Sequence, residues 1–542
     1  PRAGGTDYAF ATSYSFPIEE LVNTYLPEFT GMLDNYWGRN RIHFHSEYLG
    51  VIVLILASAA IGATGKAAAL SRSFKLFLLG VLVVSLAWAL GGNTPFYRLV
   101  YAVVPGTKFF RAPSTIIYVT TFAVSLFAAI GAERVLSGWF SRRFIFAWGT
   151  VAAVIALLGV SGGLTNLGTV IVGNSAMSDR VAANGGALAI GAVRSLVFAL
   201  LGLAVLWGAG QGRFTARAAA LGLVVLVATD LWSIERKYWR FSKPASDLYG
   251  SDATIEYLKA RKDSARVIAV PLNDAYAYHD PMLTGDGLMV HQVRQAVGYH
   301  GNELGRYDRL AGRERNYNPL FFNAGIRSLL NVRYLLTNTP PTDSTIRLVF
   351  GATTLVAGPA RNAAGTMVYL YQLSGENPPA FVASAVVKAT DDAALATLQD
   401  PRFDASMHRR VAIIDTASPT PVTDPATLPP PSPIAARVSR PSHSRILVEL
   451  AAPAQSGNML IVSENYYPGW IARIDGRDAK PERANYALIG VPLSAGAKQI
   501  ELEFTSPAFA KGRLITLLAC ASALVLLSVG GLTRRGRAAE AA

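Results

Sequence analysis

Apolar residues in this chain are gathered into seven long runs, at 48–64, 74–91, 113–136, 144–162, 186–207, 216–232 and 514–532. A helix that crosses a bilayer needs about 20 mostly apolar residues. The pattern therefore predicts seven spanning helices. Short basic segments fall at every second gap: Lys66, Arg72 and Lys75; Arg142 and Arg143; Arg213 and Arg217; Arg534, Arg535 and Arg537. Positive loops stay on the cytoplasmic side, and strict alternation of seven spans satisfies all four. The segments 1–47, 92–112, 163–185 and 235–512 are then external, and the tail 534–542 is cytoplasmic.

Between the spans the pattern changes. Residues 1–47 are polar and aromatic, with Tyr8, Phe10, Tyr14, Phe16, Tyr25, Phe29, Tyr36 and Trp37 suited to the outer interface. Ser15, Pro17, Glu19 and Glu20 form a helix start, continued by Leu21, Tyr25 and Leu26 as a short helix lying on the membrane. Residues 235–415 alternate helical and strand patterns: helices at 252–261 and 391–398, strands at 266–271, 348–356, 366–373 and 411–414, and a mixed signal at 325–336. A Pro-rich linker follows at 416–433. Five short strands separated by turn signals then predict a β-sandwich at 434–512. The expected fold is a polytopic α-helical membrane protein, its first six spans within 48–234 and the seventh at 513–533. It carries a large external α/β region and a C-terminal β-sandwich.

Composition sharpens this picture. The net charge of +14 would suggest nucleic acid in a soluble protein. Much of the excess sits in short loops where topology accounts for it, so nucleic acid is not an expected partner. The one cysteine, Cys520, lies in the last apolar run, so the external region is built without disulfides. The chain starts at Pro1 with neither an initiator Met nor a basic-then-apolar leader. An external opening segment implies a preceding span, and the chain is expected to lack an N-terminal membrane portion.

No P-loop, GxSxG, HExxH, CxxC or dinucleotide fingerprint is present. Transfer of a sugar from a lipid-linked donor needs a carboxylate to activate the acceptor hydroxyl and cations for the leaving phosphate. Glu19 and Glu20, with Asp34 nearby, are the candidate carboxylates. Adjacent acids at a helix start also fit the helix dipole alone. Lys108 and Arg111 precede the third span, where two cations and two aromatics read equally as a phosphate site or an interfacial anchor. Arg194 and Asp230 lie within apolar runs, as an ion pair or as part of a substrate path. His43 and His45, with Glu47, are metal ligands or a polar loop; no cofactor is assigned and a divalent metal stays open. His291 and His300 flank Arg294, Gly298 and Tyr299, a candidate binding cluster or a set of polar groups satisfied inside the fold. Tyr467 and Trp470 flank a Pro-Gly turn, where an aromatic face either stacks on a sugar or fills a core.

Several stretches together resemble one family. They are Ser15-Phe16-Pro17-Ile18-Glu19-Glu20, Tyr36-Trp37-Gly38, Phe110-Arg111-Ala112-Pro113-Ser114 and Gly298-Tyr299-His300. To these add the stretch from Leu330 to Leu336 and, above all, Ser463-Glu464-Asn465-Tyr466-Tyr467-Pro468-Gly469-Trp470, continuing through Asp475-Gly476 and Asn485-Tyr486. The chain resembles the YfhO family of bacterial membrane proteins. The resemblance implies similarity to GT-C glycosyltransferases, with location in the bacterial cytoplasmic membrane. It also implies a polyprenyl-phosphate sugar donor and an envelope polysaccharide or teichoic-acid-like acceptor. The catalytic acid of such enzymes sits in the first external loop, which is expected to precede Pro1, so the resemblance carries it onto no residue present. A non-catalytic envelope-assembly or glycan-binding membrane protein is the alternative. A transporter fits less well, because few polar residues fall at mid-span and no symmetric pair of broken helices is seen.

Overall fold

The structure is a computed structural model, and it describes residues 5–40, 46–61, 71–173, 175–261, 265–273, 279–299 and 303–540. His43, His45, Lys66 and His300 lie outside the described residues. The chain forms two compact units, Arg2–Ser242 and Lys243–Ala542.

Six described helices are long and apolar enough to cross a membrane: Arg72–Ala89, Pro113–Leu136, Arg142–Val160, Met177–Gly210, Ala216–Tyr238 and Pro507–Gly530. The first apolar run is helical over Val51–Ile61, and its continuation lies outside the described residues. Outward-facing side chains such as Phe77, Phe122, Leu157 and Ile190 leave the spans with large apolar surfaces. Lipid is the medium that covers such surfaces.

The segment expected as a loop at 163–185 is largely helical. Gly162 takes a left-handed conformation (φ 80°) and reverses the chain into the helix Gly163–Val172. The next helix then runs from Ser175 to Gly210, 36 residues, which at 1.5 Å per residue is about 54 Å and exceeds the hydrocarbon thickness. Ser175, Asn184, Gly185 and Gly186 look like turn residues in the sequence, although they lie within this helix.

Small residues set the helix contacts, as is usual in membranes. A Cβ on Gly131 would meet the carbonyl oxygen of Leu56 at 1.8 Å, so the helix carrying Gly131 lies backbone to backbone on Val51–Ile61. Polar contacts add to this: Ser85 and Thr120 hydroxyls lie 2.8 Å apart, and the Trp148 indole donates to Ser58 at 2.9 Å.

Arg194 and Asp230 form an ion pair at 2.7 Å inside the bundle. The Tyr48 hydroxyl donates to the same Asp230 oxygen at 2.7 Å, and Arg194 Nε donates to Ser233 at 3.0 Å. The pair thus joins three separate segments of the chain.

The opening segment does not lie on the surface. Phe16, Leu26, Phe29 and Trp37 are all buried. Leu26, Phe29 and Trp37 pack with Leu164, Val181, Leu188 and Ala192 of the helix bundle. The expected interfacial helix is a 3-10 turn, Ile18–Thr24, that buries Glu19, Glu20 and Asn23 while Ile18 and Val22 face outward. Non-helical backbone at such a place is tolerated where protein surrounds it.

Among the described residues, the second unit contains three sheets. In the first, Arg266–Ala269 runs parallel to Val332–Thr337, which pairs antiparallel with Met367–Leu373, and Thr353–Arg361 pairs antiparallel with Met367–Leu373 on its other edge. Part of the strand expected at 348–356 is instead the helix Ser344–Phe350, because Asp343 caps it by accepting from Thr345 N at 2.8 Å. The second sheet has six strands, ordered Ala380–Ala383, Met459–Asn465, Leu488–Pro492, Glu482–Ala484, Val411–Asp415, Ala385–Ala389. The third has five: Arg477–Ala479, Trp470–Ile474, Gln499–Phe504, Arg445–Leu450, Ala436–Ser442.

The six-stranded sheet is covered on both faces. Met459 and Ile461 enter one core with Leu335, Phe381 and Val411. Leu460 and Val462 enter another with Val448, Ala472 and Leu502 of the five-stranded sheet. A sandwich therefore exists, but it does not begin at 434. Leu460 pairs with Val382, and Ala484 with Ile414, across the Pro-rich linker. A strand apolar on both faces belongs in the middle of a layered fold.

Removing one partner of a buried pair leaves an uncompensated charge. Arg194→Leu should destabilise the protein in detergent by about 3–5 kcal/mol, and Arg194→Leu with Asp230→Asn should recover most of that. Thermal unfolding of both variants and Asp230→Asn checks this. Additive losses would show that the pair is not coupled.

Candidate functional site

The two candidate acids sit next to each other but in different states. Glu19 receives a forked pair of hydrogen bonds from Arg39, Nε to Oε1 at 2.8 Å and Nη2 to Oε2 at 2.7 Å. Burial pushes the Glu19 carboxyl up, but the Arg39 hydrogen bonds and charge outweigh it and hold the group below its ordinary value. Glu19 is thus a fixed anion.

Glu20 is fully buried. Its carboxylate accepts a hydrogen bond from the Tyr36 hydroxyl, which in turn accepts from Asn40 N at 2.8 Å. Burial pushes Glu20 up to about 7; the neighbouring Glu19 charge adds to this, and the Tyr36 hydrogen bond only partly offsets it. The Tyr36 hydroxyl is itself pushed well above the usual phenol range by burial and by Glu20. Gly38 leaves room for this ring, since a Cβ there would meet the Tyr36 hydroxyl at 2.3 Å.

Glu47 completes the cluster. It is buried, and its Oε2 lies 3.5 Å from Asn23 Nδ2. Asn23 also donates to Thr30 Oγ1 at 2.7 Å and accepts from Thr30 N at 3.1 Å. Burial, and then the charge of Glu20, push Glu47 up to about 8. One permanently charged carboxylate and two that titrate near neutrality are therefore held beside the helix bundle. Proton acceptors tuned this way suit acid–base chemistry, and they also occur in structural networks.

Nothing local in the sequence marks Tyr36 and Arg39, at the opposite end of the same segment, as the partners of these acids. Asp34 lies apart from the cluster, highly exposed, and pairs with Arg240 at 2.9 Å. The cation on Glu19 is Arg39, not Lys108 or Arg111. Lys108 is exposed, with its Nζ 5.3 Å from the Tyr101 ring centroid. Arg111 lies over the rings of Phe10 and Tyr14, at 5.6 and 5.0 Å. Its carbonyl accepts from Tyr14 N at 3.2 Å, and Pro113 then opens the turn that leads into the helix Ile117–Leu136. Among the described residues, no group of three or more His, Cys, Asp and Glu side chains is placed to hold a metal ion.

In the second unit, Tyr299 is exposed and lies 5.9 Å from the Arg313 guanidinium. His291 Nε2 lies 2.9 Å from the Tyr249 carbonyl. Tyr467 is about half exposed, and Trp470 is half-buried against the sandwich core, edge-on to Phe504 at 5.4 Å. Gly469 makes this turn, with φ 124° and no room for a Cβ against the Thr505 carbonyl at 2.2 Å.

Because Glu20 and Glu47 carry protons near neutrality, infrared difference spectra should show a protonated carboxyl band at about pH 6 that fades by about pH 9. Part of the band should be missing in Glu20→Gln. The protonated form stabilises the fold below the ordinary pKa of 4.5, and that contribution is lost as pH rises through about 7. Absence of the band at the lower pH would overturn this assignment.

No curated protein matches the chain. Two cryo-EM structures of arabinofuranosyltransferase AftD from Mycobacteria, one of them a mutant, align with 84% of this chain at 12% identity. The chain spans 48% of the AftD chain, about half, and the TM-scores of 0.22 and 0.21 are too low to carry an argument. A firmer match lies in the C-terminal β region, from the five-stranded sheet through the Tyr467–Trp470 turn into the last helix. There, residues 437–516 match the family described as bacterial membrane protein YfhO.

Proposed function

We propose that this chain is part of a GT-C-like membrane glycosyltransferase. Sugar passes from a polyprenyl-phosphate donor to a hydroxyl of a cell-envelope polymer on the outer face of the membrane. The acceptor oxygen bonds to the anomeric carbon, the bond from that carbon to the phosphate oxygen breaks, and the phosphate leaves on the lipid. The acceptor proton goes to a carboxylate. The observation that carries this reading is the pairing of Glu19, fixed as an anion by Arg39, with Glu20, which titrates at about 7. A base is most effective when its pKa lies near the working pH.

Lys108 and Arg111 are assigned to the donor phosphate, at the start of a helix whose N-terminus favours anions. The cations Arg72, Lys75, Arg142, Arg143, Arg213 and Arg217 support an orientation with those ends and the C-terminus in the cytoplasm. Tyr467, Trp470 and Tyr299 are assigned to glycan contact in the external region.

The full burial of Glu20 favours a second reading, a non-catalytic envelope-assembly or glycan-binding membrane protein. There the carboxyl cluster is structural.

The protein reconstituted in vesicles with a radiolabelled polyprenyl-phosphate sugar separates the two. Label should leave the lipid, and Arg111→Ala should slow its release by about a hundredfold, the scale for losing one charge-stabilising donor. Failure to consume any donor in a broad panel would overturn the transferase reading. Binding of envelope glycans in that case would establish the second.

A further inference from the structure

The helices Ser175–Gly210 and Ala216–Tyr238 are joined by a tight turn. Gly212 takes φ 70° there, and Thr215 caps the second helix by accepting from Ala218 N at 3.2 Å. Between the two helices runs a groove of about 590 Å³. Leu201 and Val205 line one side, Ala218, Gly222 and Val225 the other, and Phe214 lines it at the turn. Every described side chain along it is apolar. Gly222 keeps it open: a Cβ there would meet nothing nearer than Val205 at 3.8 Å, so packing does not require glycine. Phe214 is held in place, because its ring lies against Gly208, where a Cβ would meet it at 2.3 Å.

The groove has the depth of one leaflet. From Ala216 to Leu226, which also lines it, the second helix rises about 15 Å at 1.5 Å per residue. That is half of a hydrocarbon core of roughly 30 Å. The length suits the acyl chain of one lipid, not a spanning segment.

The turn end of the groove is basic. Arg213 adjoins Phe214, and Arg217 lies one helical turn before Leu221; both arginines are exposed. Arg142 and Arg143 belong to the same end, since the Arg142 guanidinium lies 5.7 Å over the Trp207 ring and the Phe140 ring abuts Gly210. Among the described residues, none of these four arginines forms an ion pair. Between Arg134 and Asp230 the one acid is Asp179, at the far end of Ser175–Gly210. Glu133 has Arg134 beside it. The other acids of the first unit lie in the opening segment or beyond Thr229.

An apolar groove one leaflet deep, ending at a cluster of arginines, has the shape and charge to hold an anionic phospholipid. A second copy of the chain fits less well. Both copies share one orientation in a membrane, so its arginines would face these with no acid between them. We propose that the groove binds an anionic glycerophospholipid from the leaflet on the arginine side. One acyl chain lies between Leu201 and Val225, and the phosphate lies on Arg213 and Arg217. The site stands whether or not the membrane unit transfers sugar.

Native mass spectrometry of the full chain in detergent, titrated with phosphatidylglycerol and with phosphatidylcholine of the same chains, tests this. The first phosphatidylglycerol should bind about 25-fold more tightly, about fivefold for each of two arginines. Arg213→Gln together with Arg217→Gln should remove that difference. Gly222→Leu keeps both arginines but fills the groove. It should weaken phosphatidylglycerol about tenfold, the scale of about ten lost atom–atom contacts. Arginines that only gather lipid at the surface would not respond to Gly222→Leu. If that variant fails to fold, Val225→Trp fills the same groove from an exposed position. Equal affinity for the two lipids, or no loss in the double arginine variant, would overturn the proposal. So would unchanged binding with the groove filled, or a lipid-free dimer that filling the groove dissociates.

Discussion

A charge among spanning helices cannot be left alone, and the Arg194–Asp230 pair is the constraint around which the first unit is arranged. Asp230 also accepts the Tyr48 hydroxyl, so the start of the first apolar helix is fixed to two helices far along the chain. The segment before Tyr48 is then obliged to return into the bundle. Its aromatic residues fill space between helices, and its acids are carried inward with them. The unusual titration of Glu20 and Glu47 is thus a result of packing. Burial is the first cause for both, and proximity of like charge is the second.

Neighbouring carboxyls in this fold differ according to what faces them. Glu19 is held as an anion by the Arg39 guanidinium, whereas burial raises Glu20 to about 7 and Glu47 to about 8. At Glu464, which is also largely buried, the guanidinium groups of Arg266, Arg294 and Arg440 outweigh burial and hold the carboxyl below its ordinary value.

Much of the architecture was legible. Long apolar runs have few alternatives to spanning helices, and six of the runs coincide with long described helices. The Asp475-Gly476 turn joins Trp470–Ile474 to Arg477–Ala479, with both φ values positive as its sequence requires. What was not legible came from long-range pairing. Ala380–Ala383 is a four-residue apolar strand with no pattern to say what it joins, so in the sequence the Pro-rich stretch after it looks like a domain boundary. The aromatic richness of 1–47 fits an interface and a core equally well, and only the facing surfaces of Leu164, Val181 and Leu188 decide between them. Glu19 and Glu20 could be singled out as acids at a turn. Their different protonation could not, because the chain fold, not any local pattern, brings Arg39 to one acid and Tyr36 to the other.

The sheet shared across the linker has a consequence in time. Ala380–Ala383 emerges during synthesis some eighty residues before its neighbour Met459–Asn465. Until then it is an apolar strand with an unpaired edge, and the core beneath it stays open. Such edges recruit the wrong partners. The proline-dense stretch 416–433 adds no strand of its own, so the rivals for that edge in the waiting interval are the four strands Ala385–Ala389, Val411–Asp415, Ala436–Ser442 and Arg445–Leu450.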